Sequence, residues 1–190
     1  MFERSQPSHA PVLKTILEND PARREALKVL ADLNLPDCWI AAGFVRDATW
    51  DHLHGRKPAL PNGDVDVVWF SEAALSEQTD RQIEAELARQ IPNLEWSVKD
   101  QARMHLRNGD RPYTSVADAM QHWPETATTV GARLDSDGTI EINAPLGLND
   151  LFALRLRPTP AFRSEKHSIF LERASTKRWL DRYPLLDFSP

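Results

Sequence analysis

Residues 38–70 read CWIAAGFVRDATWDHLHGRKPALPNGDVDVVWF, and the order of elements in this stretch decides the fold. A short apolar run, Trp39-Ile40-Ala41-Ala42-Gly43, ends in small residues and passes directly into a helix-compatible segment that Gly55 can cap. The pattern is strand, glycine turn, helix. At the other end, Asp64-Val65-Asp66-Val67-Val68-Trp69-Phe70 is rich in β-branched and aromatic residues, so it reads as a strand. Alternation along that strand puts Asp64 and Asp66 on one face, roughly 6–7 Å apart.

Two carboxylates side by side need a counter-charge, and a divalent cation such as Mg²⁺ or Mn²⁺ is the usual one. The glycine turn offers a place for phosphate. Gly43 permits close backbone approach, the helix behind it presents free amides to an anion, and Arg46 can add a fork of donors. Metal at one end and phosphate at the other point to a nucleoside triphosphate (NTP) as substrate. An Asp-x-Asp pair in an arbitrary protein usually marks a turn or an exposed strand edge; the glycine turn before this one and the buried-looking strand after it separate it from that reading.

The run Ala42-Gly43-Phe44-Val45-Arg46-Asp47 followed by Asp64-Val65-Asp66 resembles the glycine-glycine, Arg-Asp, Asp-x-Asp signature of the DNA polymerase β-like nucleotidyltransferase superfamily. The Arg-Asp step is most similar to the CCA-adding branch. Further along, Trp96 to His105, Trp123-Pro124-Glu125-Thr126 and Gly147 to Phe152 resemble a bacterial family of small nucleotidyltransferase-like proteins, and this second likeness spans most of the chain. It implies an α/β (α+β) fold, a mixed β-sheet flanked by helices, and transfer of a nucleoside monophosphate to an acceptor hydroxyl with pyrophosphate release. Asp64 and Asp66 then hold the metal, and Ala42, Gly43 and Arg46 the phosphates, with Lys99 and Arg103 as further candidates. The superfamily often adds a third carboxylate from a later strand, for which Glu95 and Asp100 are both candidates. This chain departs from the signature at Ala42, where a glycine is usual, so phosphate approach rests on Gly43.

The chain has 190 residues, 41% of them hydrophobic and 27% charged, which suits one moderate globular domain over 1–190. Its net charge of −5 argues against broad, sequence-independent binding to nucleic acid. No apolar run is long enough to span a bilayer and Met1 to Pro7 lacks a signal-peptide pattern, so a cytoplasmic protein is expected. Cys38 is the only cysteine, which excludes an intrachain disulfide; it reads as a small buried residue.

Outward from the central stretch, residues 1–10 read as a flexible end and 11–35 as two helices, the second opening at an Asp20-Pro21 cap. His52 and His54, at i and i+2, share no helix face and read as solvated polar residues. Asp80 to Ile91 is a packing helix, Leu94 to Lys99 a strand, and Gln101 to Leu106 a helical turn whose Arg103 and His105 face either the triphosphate or solvent. Ser115 to Trp123 is a short helix; Thr126 to Leu134 and Thr139 to Asn143 are β-prone runs joined by an Asp135-Ser136-Asp137-Gly138 hairpin. Arg155 to Arg157 reads as a last strand and 163–183 as helical, with Arg173 and Lys177 one turn apart, either gripping a phosphate or forming a solvated basic face. Of the six tryptophans, most should pack the core and one is available to stack a base.

The expected function is a metal-dependent nucleotidyltransferase acting on an NTP and an acceptor that is a small molecule, a protein or an RNA. Two other readings compete: a catalytically silent nucleotide- or partner-binding module of the same fold, and a metal-dependent glycosyltransferase using its own Asp-x-Asp, which leaves the glycine turn and Arg46-Asp47 unexplained.

Overall fold

A computed structural model describes residues 9–73 and 76–190. Most of the segment expected to be flexible, residues 1–8, lies outside the described residues. Two helices open the described chain, α1 (His9–Glu18) and α2 (Pro21–Asp32). The Asp20 carboxylate accepts the amide of Arg23 at 3.1 Å, as the Asp-Pro cap requires. Arg23 is itself buried beside Asp20, and it donates to the carbonyls of Phe44 at 2.8 Å and Ala59 at 2.9 Å. The start of α2 is thereby tied to the central stretch.

That stretch folds as β1 (Trp39–Ala41), α3 (Gly43–Leu53) and β2 (Val65–Trp69), with Gly55 at φ +68° just beyond the end of α3. Next come α4 (Glu77–Gln90), β3 (Trp96–Asp100), α5 (Gln101–Asn108) and α6 (Val116–Met120). The hairpin is β4 (Gly131–Leu134) and β5 (Ile140–Asn143). Asp135 closes its turn by accepting the amides of Asp137 at 2.9 Å and Thr139 at 2.8 Å. The chain ends with α7 (Asn149–Phe152), β6 (Arg155–Leu156), α8 (His167–Thr176), α9 (Trp179–Arg182) and β7 (Asp187–Phe188).

The five-stranded sheet has the order β3-β2-β1-β4-β5. Strand β1 is antiparallel to both neighbours, and β2 runs parallel to β3, with α4 as the crossover. The register sorts the side chains into two faces. Ile40, Val65, Val67, Trp69, Trp96, Val98, Ala132 and Ile140 enter the main core with Leu13, Leu17, Leu27, Phe44 and Leu87 of the first four helices. The opposite face carries Trp39, Ala41 and Val68 in a smaller cluster with Val116 and Met120 of α6. Asp66 lies in register between Ala41 of β1 and Ser97 of β3, on this second face. Among the described residues no helix is long and apolar enough to cross a membrane.

Helix α1 already begins at His9, inside the end expected to be flexible, and the helix expected over 163–183 is divided into α8 and α9, with Arg178 at φ 50° before the second. Two β-prone runs differ from the sequence reading as well. The β-prone run from Thr126 begins as a 3₁₀ turn, Thr126–Thr128, and only Gly131–Leu134 is strand. Thr129 donates its hydroxyl to the carbonyl of Glu125 at 3.0 Å and the Thr126 amide goes to Arg157 O at 3.1 Å, so local side-chain bonding draws this backbone away from a ladder. The strand at Arg155 does form, but it pairs in parallel with β7 in a separate two-stranded sheet.

The turn between β1 and α3 fixes the approach to the second face. Ala42 has φ 53° and ψ −122°, a conformation natural to glycine and strained for a residue with a Cβ. A glycine at this position would adopt the same shape without strain. Relief of about 1–3 kcal/mol of strain, less the greater chain entropy of glycine, predicts that Ala42→Gly stabilises the protein by about 1 kcal/mol. Urea titration should show the higher midpoint with an unaltered slope.

Candidate active site

Over the second sheet face lies a cleft of ≈ 630 Å³. Its floor carries Asp66, Ser97 and Lys99 from the strands, Asp64 from just before β2, and Ala42 from the turn. One wall is Gln101, Met104, Arg107 and Asn108 of α5 together with His122, Trp123, Pro124 and Thr128 of the following segment. The other is Phe162, Lys166, Ile169, Arg173 and Lys177, from α8 and its flanks. Five basic side chains therefore surround two carboxylates, in a protein whose net charge is −5. A polyanion that brings its own cation satisfies both sets of charges.

Asp64 is exposed and Asp66 half-buried, and neither makes an ion pair with a described residue. Burial first, and the Asp64 carboxylate second, push Asp66 up from the usual carboxylate range to about 6, against the pull of Arg46, Lys177 and Arg173. Carboxylates held together on one face in this way suit a divalent cation, which takes one or two protein oxygens and fills its other positions from phosphate and water. No cluster of three or more His, Cys, Asp or Glu side chains suited to a metal exists among the described residues. A cation held by this pair would therefore draw its other ligands from substrate phosphate and water.

At the turn, the amide of Ala42 goes to Val130 O at 2.9 Å, and the amides of Val45 and Arg46 return to Ala42 O. Those of Gly43 and Phe44 precede the first intrahelical bonds and have no protein acceptor among the described residues. They stand at the positive end of the α3 dipole beside the cleft floor.

Arg46 occupies a different place from the one its position in the motif suggests. It is 6% exposed and lies beneath the turn, where Nε and Nη2 donate to Asp47 Oδ1 at 2.9 and 2.7 Å and Nη1 to Thr128 Oγ1 at 3.1 Å. Its guanidinium sits 4.6 Å from the ring centroid of Trp179 and 5.1 Å from that of Trp50. Asp47 also accepts from Arg182 at 3.2 Å. Arg46 thus braces the turn from behind instead of reaching into the cleft.

Asp100 is corrected as well. Parity along β3 places Ser97 and Lys99 on the cleft face, and Asp100 on the core face with Trp96 and Val98. Its carboxylate caps α5, accepting the amides of Ala102 at 3.0 Å and Ser71 at 3.4 Å. Arg103 follows it to that side, where it pairs with Asp80 and approaches Asp100 at 3.9 Å, outside the cleft lining. Glu95 is exposed just before β3 and is not part of the lining either. By contrast Lys99, Ala42, Asp64 and Asp66 all line the cleft, and so do Arg173 and Lys177. Of the two histidines near the end of α3, His52 is exposed, while His54 is half-buried and serves packing: its Nδ1 lies 2.7 Å from Trp50 O, and its Nε2 accepts the Leu185 amide at 3.2 Å.

Residues not singled out from sequence complete the site. Glu125, 0% exposed, accepts from Arg173 Nε at 2.8 Å and anchors that basic side chain at the cleft wall. Lys166 donates to Asp110 Oδ1 at 2.7 Å and to Asn108 O at 3.0 Å, joining the start of α8 to the end of α5. The Trp123-Pro124-Glu125-Thr126 motif was the available signal for Glu125. Lys166 carried none, since its partner lies 56 residues away.

A nucleotidyltransferase family model matches residues 28–188, most of the chain. The chain belongs to this nucleotidyltransferase family. No curated protein matches it. A solved NMR structure that reveals a CCA-adding enzyme head domain is 32% identical, with 93% of this chain and 94% of that one covered and a TM-score of 0.83. The Bacillus stearothermophilus CCA-adding enzyme in complex with CTP is 15% identical over 89% of this chain and 40% of its own, with a TM-score of 0.51. The Thermotoga maritima CCA-adding enzyme complexed with tRNA is 18% identical over 99% of this chain and 41% of its own, with a TM-score of 0.51. The nucleotidyltransferase chain therefore spans less than half the length of those two enzymes and shares their head-domain fold.

Two outcomes follow for the charges of this site. A carboxylate whose folded value exceeds its unfolded one costs stability as pH rises from about 4 to 6, and the full cost persists above. In metal-free buffer Asp66→Asn should stabilise the nucleotidyltransferase by roughly 1–3 kcal/mol at pH 8 and have almost no effect near pH 4, as urea titrations at both pH values can establish. Arg46→Ala should act oppositely, costing about 3 kcal/mol or more in the same assay because it strips the main partner from buried Asp47. Arg46→Lys, lacking the planar fork, should recover only part of that loss.

Proposed function

We propose that the protein transfers a nucleoside monophosphate from an NTP to an acceptor hydroxyl, releasing pyrophosphate, in a metal-dependent reaction in this cleft. The observation that carries the reading is the meeting of Asp64 and Asp66 with Lys99, Arg173 and Lys177 in one cleft, next to the free amides of the β1–α3 turn. Asp64 and Asp66 would hold Mg²⁺ or Mn²⁺, which when bound supplies charge stabilisation at the reacting phosphoryl oxygens and lowers the pKa of a coordinated hydroxyl. The Gly43 and Phe44 amides and the basic side chains of α8 orient the phosphates, fixing the α-phosphorus for in-line attack. The acceptor oxygen loses its proton and bonds to the α-phosphorus, and the bond to the α–β bridging oxygen breaks. Ser97 stands beside Asp66 where a neighbouring strand could supply a third carboxylate. That single feature favours the second reading, a module that binds nucleotide without transferring it.

The acceptor remains a hydroxyl-bearing small molecule, protein or RNA. The bound CTP and tRNA of the two longer relatives are consistent with an NTP and a polynucleotide acceptor. Pyrophosphate release should be measured with each of the four NTPs, Mg²⁺ or Mn²⁺, and cell extract as the acceptor source. Release should fall by at least about 10³-fold in Asp64→Asn and in Asp66→Asn, with both variants still folded. At limiting Mg²⁺ it should also decline as pH falls below about 6, where a proton competes with the cation for Asp66, and added Mg²⁺ should restore it. Nucleotide binding without release under any condition would establish the silent module; full release by both variants would sink the transferase reading.

A further inference from the structure

Trp123 is the tryptophan that the core does not claim. Trp39, Trp50, Trp69, Trp96 and Trp179 are all 7% exposed or less. The indole N–H groups of Trp39, Trp69 and Trp96 donate to Asp37 at 2.8 Å, Asp80 at 3.0 Å and Ile91 O at 3.2 Å. Trp50 and Trp179 pack edge to face, 6.4 Å apart, around Arg46. Trp123 is only half-buried and lines the cleft that holds Asp64 and Asp66.

Its support is rigid. It packs on the cluster that contains Val68 and Met120, its amide donates to Met120 O at 3.0 Å, and its carbonyl accepts the Thr159 hydroxyl at 2.6 Å. Pro124 follows and limits the backbone further. Met104, Phe162 and Ile169 join it among the cleft's lining, and Ile169 is 46% exposed. A polyphosphate has no use for an apolar aromatic wall; a nucleobase does. The position is also suitable. Val68 is two residues beyond Asp66 on the same strand face, roughly 6–7 Å along β2, a span that a ribose bridges.

We propose that Trp123 is the platform on which the base of the bound NTP stacks, so that the base is gripped within this domain, one step along β2 from the carboxylates that face the phosphates. The inference rests on reading the cleft as the NTP site. Stacking uses the π-face that every base has, so all four NTPs should depend on Trp123.

Calorimetry with Mg²⁺ should compare each NTP with inorganic tripolyphosphate, which carries the charge but no base. Trp123→Ala is expected to weaken NTP binding about 10-fold or more and leave tripolyphosphate binding unaltered, whereas Lys177→Ala should weaken both. Trp123→Leu, which fills much of the same space without an aromatic face, is read in the same way and decides the matter if the alanine variant loses tripolyphosphate too. NTP binding at wild-type strength in the leucine variant would overturn the stacking role. A wild-type protein that binds tripolyphosphate as tightly as every NTP would overturn it as well. Binding of neither ligand by the wild type would instead overturn the reading of the cleft.

Discussion

The buried pair Arg46 and Asp47 is the constraint on which the rest of the site depends. Both residues sit near the start of α3, and their side chains are 8% and 4% exposed. A buried ion pair of this kind contributes little net stability and is very costly to break by half, so its effect is to enforce one arrangement. Arg46 joins the glycine turn to Thr128 and Trp179, and Asp47 adds Arg182. The anchors on α9 lie more than 130 residues from Asp47 in sequence. Through them the helices that supply Arg173 and Lys177 are held over a sheet that supplies Asp64 and Asp66.

The charges in the cleft are arranged against folding and in favour of a ligand. Asp66 is pushed up by burial and by Asp64, while Lys99, Arg107 and Lys177, which make no ion pair with a described residue, crowd the same space. In the absence of ligand, each sign repels its own kind across a partly dehydrated volume. In the proposed function a triphosphate with its cation would relieve both repulsions together, so that affinity would draw on stress already present in the folded protein. Glu125 belongs to the same arrangement. Among the described residues its carboxylate has one partner, Arg173, and its Oε2 is buried without a hydrogen bond, so the basic wall stands on a carboxylate that is itself incompletely satisfied.

Much of this was legible before any coordinates. The strand, turn and helix at residues 39–53, the acidic strand, the cap at Asp20 and the hairpin at Asp135 all follow from local rules that the structure leaves intact. What the sequence left open depends on register and on distant contacts. Asp100 and Lys99 are neighbours in sequence, yet one caps α5 on the core side and the other faces the cleft, and only the pairing of Val68 with Lys99 shows which. Arg46 looked like a phosphate ligand because a free guanidinium beside a glycine turn is one. That Thr128 and Trp179 would take it up was not a local property. The β6–β7 pair was equally hidden, since its strands are two residues each and 32 positions apart.

Ala42 shows what the turn demands and what it does not. The backbone there adopts φ 53°, ψ −122°, although the side chain opposes it, and the amides of Gly43 and Phe44 remain open beside the cleft. Glycine is thus a convenience at position 42, because the surrounding bonds determine the geometry: Ala42 N to Val130 O, and Ala42 O to Val45 and Arg46 N. At position 43 neither the backbone conformation nor the packing makes such a demand: a Cβ there would meet one described atom within 4 Å, Arg46 Nη2, at 3.4 Å, an ordinary van der Waals contact. The glycine signature at this turn is therefore no packing requirement at either position, and what the turn keeps in spite of Ala42 is the pair of open amides beside the cleft.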